Sequence, residues 1–259
     1  MGQTRTVPSL PTRLPASLRG LPAAFWWLWL GTFVNRLGTF VLPFLALYVT
    51  DGRGFDESVA ARVLLAWGIA LLPAPAIGGS LTDRIGRLPT LAIATVAGGL
   101  ATIGLGLART ETQLIGAAAL LGLFGEMYRP ATSALLADVV PPADRPRAFG
   151  LQFWAINLGF AVATAGGGLL AQVDWFLLFA GDAATMLLFG GIVVWRVQEP
   201  DRSTSTDESR VDDRTSMRRV LSDRLFLAIL GTTVLTALVY AQVQSTLSVY
   251  VISRGLTTA

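Results

Sequence analysis

The sequence predicts an all-α membrane protein: a block of six membrane-crossing helices, a polar linker, then a seventh helix. Three observations predict it. The 259 residues are 53% hydrophobic and only 14% charged, where a soluble domain carries about a quarter charged residues. Apolar runs of roughly 20 residues or more recur along the chain, enough for a helix to cross about 30 Å of hydrocarbon. The arginines gather in alternate connections between those runs, as cytoplasmic segments of a polytopic protein do.

The elements follow in order. Residues 1–20 form a tail with Arg5, Arg13, Arg19 and three prolines, read as cytoplasmic. The apolar segment after it is too long for the core of a cleaved signal and lacks a small-residue cleavage site, so it is read as a retained anchor. Spans are expected over 22–49, 59–81, 89–108, 113–137, 147–172 and 175–197, together a six-helix domain over 21–197. Helices are the open-ended solution in lipid because each satisfies its own backbone hydrogen bonds. Residues 198–224, rich in Ser, Thr, Asp and Arg, read as a solvated cytoplasmic linker. The seventh span is expected over 225–252, within a last segment of 225–259.

With the N-terminus inside, cytoplasmic segments hold fourteen arginines, and the outside keeps Arg53, Arg62, Arg109 and Arg254. Trp26, Trp27, Trp29, Trp175 and Trp195 fall near the expected interfaces, as an aromatic belt does. Pro43 in the first span and Pro73 and Pro75 in the second are expected to bend those helices.

Composition excludes several chemistries. Cysteine, histidine and lysine are all absent. That removes disulfides, zinc-type sites, histidine-ligated haem and the usual physiological-pH proton carrier. A retinal-type Schiff base is impossible without lysine, which argues against a light-driven seven-helix protein. No phosphate loop of the G-x-x-x-x-G-K-[ST] type and no nucleophile–histidine pairing support an enzyme. No metal or cofactor is expected. The basic pI reflects loop arginines and not a nucleic-acid-binding stripe.

Charged and polar residues inside the spans are the functional candidates, because a charge at the bilayer centre costs several kcal/mol unless paired or hydrated. Glu126 and Arg129 stand at i, i+3 on one helical face and are expected to face the bundle interior, as a substrate or proton site or as a structural ion pair. Arg36, beside Asn35, needs a carboxylate or a wet cavity. The carboxylates available within the six-helix block are Glu126 and Asp182. With no histidine, these two are also the groups that could carry a proton from inside the membrane. Asn157 joins the candidates in the fifth span.

The loop Gly78-Gly79-Ser80-Leu81-Thr82-Asp83-Arg84-Ile85-Gly86-Arg87 carries the pattern G-x-L-x-D-R-x-G-R. Gly79 is expected to allow close helix approach, Gly86 a sharp turn with positive φ, and Asp83 to accept from backbone amides or Arg87. The loop closely resembles the signature loop between helices 2 and 3 of major facilitator superfamily transporters. Residues 120–150, with Asp138 and Arg145, resemble helix 4 and the following loop of the drug:proton antiporter-like subgroup, and FVNRLGTFVLPFLALYVT resembles its first helix. NLGFAVATAGGGLLA resembles the glycine-rich helix-5 motif at Gly159, Gly167 and Gly168, with Ala163-Thr164 replacing its Gly-Pro pair.

This resemblance implies a plasma-membrane transporter and no enzyme. It implies two inverted three-helix repeats in the six-helix block. Gly79, Asp83, Arg84, Gly86 and Arg87, with Asp138 and Arg145, would form an inner gate gripping a C-terminal half. The partners would be a hydrophobic or amphipathic small molecule, protons and the lipid bilayer. Family members run to twelve helices, so the chain is expected to be truncated, its C-terminal half missing. The alternative reading is a non-transporting remnant.

Overall fold

The computed structural model describes residues 20–198, 222–233 and 235–236, with the side-chain surroundings of Gly168 and Ala171 left out. Eight α-helices form the larger unit: α1 (Ala23–Leu37), α2 (Val41–Leu47), α3 (Glu57–Leu71), α4 (Ala74–Ile85), α5 (Arg87–Leu107), α6 (Glu111–Val139), α7 (Arg145–Val173) and α8 (Trp175–Arg196). They group into six long helical segments, spans one to six, five of which are long and apolar enough to cross a membrane. α1 and α2, continued by a π-helical turn at Tyr48–Gly52, form the first, and α3 with α4 the second. The expected tail of 1–20 lies, but for Gly20, outside the described residues, as do most of the linker and most of the seventh span. Arg224–Thr233 is an apolar helix in a second unit.

Ala23–Gly52, Glu57–Ile85, Arg87–Leu107, Pro142–Gly167 and Trp175–Arg196 are each long and apolar enough to cross a bilayer. α6 is less apolar because Glu126 and Arg129 sit in its middle, yet its 29 residues make a rod of about 43 Å at 1.5 Å per residue. Pro130 does not break it.

Both broken spans have local causes. The first is interrupted at Gly38–Phe40, upstream of Pro43, which falls in the first turn of α2. A proline there costs little, because the first-turn amides have no partner within their helix. In the second span Pro73 is the N-cap of α4, with Pro75 behind it. The proline-driven bend expected at Pro43 is thus a break three to five residues earlier, where glycine sits.

The packing repeats itself. Span one packs on spans five and six, and span four on spans two and three. Spans three and six pack on each other. Exchanging spans one, two and three for four, five and six leaves this pattern unchanged. Since α6 starts at the end opposite to α1, the two triplets are inverted, as the resemblance implies.

The apolar core is divided in two. Toward the end where α1 starts (the near end), Phe25, Leu28, Leu91, Met127, Leu135, Phe189 and Val193 form one buried cluster. Toward the far end, Val41, Leu45, Val63, Leu105, Leu114, Leu121 and Phe179 form another. Between them four spans change character within a few residues: the break at Gly38–Phe40, Gly98-Gly99 in α5, Gly122 to Glu126 in α6, and Asp182 in α8. Asn35, Arg36 and the other buried polar groups of the candidate site lie at this level.

Candidate transport site

Span one is held against α7 by small residues. Ala155, Gly159, Ala163 and Gly167 recur every four residues of α7 and are all buried. A side chain at Gly159 would run into Arg36 and the Phe33 carbonyl, and one at Gly167 into Phe44. The helix-5 glycines therefore permit backbone-close contact, which fixes where Arg36 sits. Gly38 does the same toward α8, where a side chain would collide with Thr185. The break so formed lies against Asp182, whose carboxylate accepts a hydrogen bond from the Val41 amide at the start of α2. Thr185 donates to the Asp182 carbonyl at 2.9 Å.

A partly open cavity lies at this level. Asn35, Arg36, Thr39, Glu126, Tyr128 and Asp182 supply its polar wall, and Leu42, Trp67, Leu121 and Met186 its apolar wall. Arg36 donates a short hydrogen bond from Nη2 to the Tyr128 hydroxyl. That hydroxyl in turn donates to Asn35 Oδ1 at 3.2 Å. The direction is forced, since a guanidinium has only donors. Glu126 pairs with Arg129, as the i, i+3 spacing predicts. Both Glu126 and Asp182 act electrostatically on Arg36, yet neither is bonded to it.

The cavity thus brings together Asn35, Arg36, Glu126 and Asp182. Arg129 departs from the interior position expected of it: its side chain is 56% exposed, against 19% for Glu126. Arg129 still acts on the Tyr128 hydroxyl, so it borders the network from the exposed side. Asn157 is exposed and donates to the Phe153 carbonyl one turn back, so it is not part of the cavity. Tyr128, the hub of the network, was missed by sequence reasoning. Its signal was available, since a tyrosine within an intramembrane charge cluster needs a hydroxyl partner when buried.

At the near end, Gly86 has φ 109°, the turn expected of it. Arg87 pairs with Asp138 at 2.5 Å, tying the start of α5 to the end of α6. Arg145 reaches the Val140 carbonyl at 3.4 Å beyond that helix end. Asp83 and Arg84 are exposed, and Asp83 has no hydrogen bond among the described residues. Its expected partner, Arg87, is turned to Asp138 instead. Gly79 also departs from expectation: a side chain there would meet nothing, whereas one at Gly78 would strike the Met127 carbonyl. Close approach is a property of Gly78, because one residue rotates the helix face by about 100°.

At the far end, Arg62 and Glu111 pair at 2.6 Å between α3 and α6. The Tyr48 hydroxyl lies 3.2 and 3.0 Å from the Leu105 and Gly106 carbonyls. Arg53 reaches both the Tyr48 hydroxyl and the Gly106 carbonyl. These groups satisfy carbonyls left over at the end of α5.

Residues 28–259 match the model of the Major Facilitator Superfamily. The chain is 27% identical over 234 residues to a "Na(+), Li(+), K(+)/H(+) antiporter" of Planococcus maritimus, covering 84% of this chain and 55% of the relative. It is 31% identical over 197 residues to "Multidrug resistance protein MdtH" of Cronobacter sakazakii, covering 74% and 47%. A crystal structure of the human organic anion transporter MFSD10 matches with a TM-score of 0.53 at 16% identity, over 70% of this chain and 48% of that one; at that identity it shows the fold alone. The chain spans about half the length of the curated relatives it matches. It belongs to the Major Facilitator Superfamily, a superfamily of membrane transporters and not of enzymes. It is a multi-pass, all-α membrane protein.

Proposed function

We propose that this chain carries the solute- and proton-handling helices of a proton-coupled efflux transporter that works by alternating access, with a hydrophobic or amphipathic small molecule as substrate. The observation that supports it most is the mid-membrane cavity, where Arg36, Glu126 and Asp182 converge. Charges at that depth are expensive and mark solute or proton pathways. Glu126 and Asp182 are the carboxylates that would bind and release the proton, and Arg36 the charge that responds to them.

The near end is cytoplasmic in this proposal. Arg84, Arg87, Arg145, Arg147 and Arg196 lie there, against Arg53, Arg62 and Arg109 at the far end. Asp83, Arg84, Gly86 and Arg87 would meet a C-terminal six-helix half, and the exposed position of Asp83 leaves its carboxylate available for that contact. Asp138 holds Arg87 in place, and Arg145 is the neighbouring gate candidate. The membrane is the plasma membrane.

A second reading is exchange of a monovalent metal cation for protons, supported by the relative named as an antiporter of such ions. One experiment separates the two. Everted vesicles containing the full chain are energised to an acid interior, and proton release is followed after adding ethidium, naphthoate or NaCl. Release with an organic probe alone supports the first reading. Release with NaCl alone supports the second. No probe-dependent release, relative to vesicles lacking the chain, contradicts both.

A further inference from the structure

We infer that the solute group recognised in this cavity is an anion, held by Arg36, so that the substrate class is an amphipathic organic anion. This rests on the transport reading above and narrows it.

Among the described residues, Arg36 has no carboxylate in an ion pair. Its bonded partner is the neutral Tyr128 phenol. Its Nε is buried and bonded to nothing. The two carboxylates near it are turned to other donors, Glu126 to Arg129 and Asp182 to the Val41 amide. A guanidinium deep in a membrane protein normally finds an acid partner. Here it retains an unused donor at the wall of a cavity.

The surroundings suit an anion more than a cation. Tyr128 and Asn35 orient the guanidinium from behind, the hydroxyl accepting from Nη2 and donating to Asn35 Oδ1. That leaves the other N–H groups of the guanidinium at the cavity wall for a carboxylate or sulfonate, which a guanidinium binds with charge-assisted hydrogen bonds. Opposite lie Leu42, Trp67, Leu121 and Met186, an apolar and aromatic wall for the rest of the molecule. The charged groups facing Arg36 are Glu126, which Arg129 already neutralises, and Asp182 on α8. α7 presents Gly159 and no charge. Asp182 is therefore the internal competitor: with its charge removed, Arg36 is free for the solute.

The test is equilibrium binding to the purified full chain in detergent, using radiolabelled naphthoate, naphthylmethanol and naphthylmethylammonium, which share one apolar body. The anion is expected to bind about tenfold more tightly than the alcohol, the scale of a charge-assisted bond, and the ammonium more weakly than the alcohol. Arg36→Gln should abolish the preference, the anion then binding no more tightly than the alcohol. Arg36→Lys, which keeps the charge and serves if the glutamine variant does not fold, should lower naphthoate binding several-fold through loss of the fork. Asp182→Asn should tighten it. Preference for the ammonium or the alcohol, or a naphthoate preference that survives in both Arg36 variants, overturns the inference. Anion-selective binding without flux would sink only the transport reading, and flux of ethidium with no anion preference only this one.

Discussion

Arg87, in the first turn of α5, and Asp138, in the last turn of α6, are ion-paired at 2.5 Å with both side chains about three-quarters buried. The pair links spans three and four across the near end. It also takes the arginine of the signature loop away from that loop's own aspartate.

Breaking this pair should destabilise the bundle. Asp138→Asn is expected to lower stability by about 1 kcal/mol, since a pair about three-quarters buried lies between the surface and fully buried regimes. Thermal unfolding in detergent, with Arg87→Gln and the double variant, gives the coupling. Additive losses would show that the two residues do not act as a pair.

The helix-5 glycines should rank by their neighbours. Gly159→Ala should cost about 1–3 kcal/mol, as overpacking does, because the new methyl meets Arg36 and the Phe33 carbonyl. Gly79→Ala, with open space around it, should leave the stability of this bundle unchanged. Equal unfolding midpoints for the two variants would contradict the packing described. Gly86→Ala should cost about 1–3 kcal/mol for a different reason, its positive φ.

Gly78 and Gly79 show what the sequence conveys and what it does not. The long apolar helices were legible because lipid demands them, whatever their neighbours. Arg36, Glu126 and Asp182 were legible because charge in such a helix is costly and conspicuous. Helix facing was not. Gly78 and Gly79 are adjacent in the same pattern, and only the position of Met127 decides which is the contact. The cost of intramembrane charge points Arg129 inward, whereas the buried neighbour is Tyr128, an amphipathic side chain that no hydropathy pattern distinguishes. Pro43 suggests a bend in span one, and the structure has instead a break at Gly38–Phe40, packed against Thr185 and Asp182 on a helix about 145 residues away in sequence.

Tyr48→Phe should loosen the far end. It removes the hydroxyl that sits 3.2 and 3.0 Å from the Leu105 and Gly106 carbonyls and the acceptor of the Arg53 bond. A loss of about 1–2 kcal/mol is expected, with faster hydrogen exchange confined to the end of α5 and the turn at Tyr48–Gly52. Unchanged exchange there would contradict this role.

Topology is directly measurable, since the chain has no cysteine of its own. Single cysteines at Arg84 and at Asp56, both exposed, should react with a membrane-impermeant maleimide from opposite sides: position 84 in everted vesicles and position 56 in intact cells. Labelling of both from one side would overturn the crossing of the second span, and labelling in reverse would overturn the orientation.

The most direct measurement is pH-gradient-driven flux of an organic probe in everted vesicles, comparing the full chain with Glu126→Gln and Asp182→Asn. Coupling through the cavity carboxylates predicts that at least one substitution abolishes proton exchange while probe binding persists. Full pH-driven flux in both variants, and in the double variant, would contradict it.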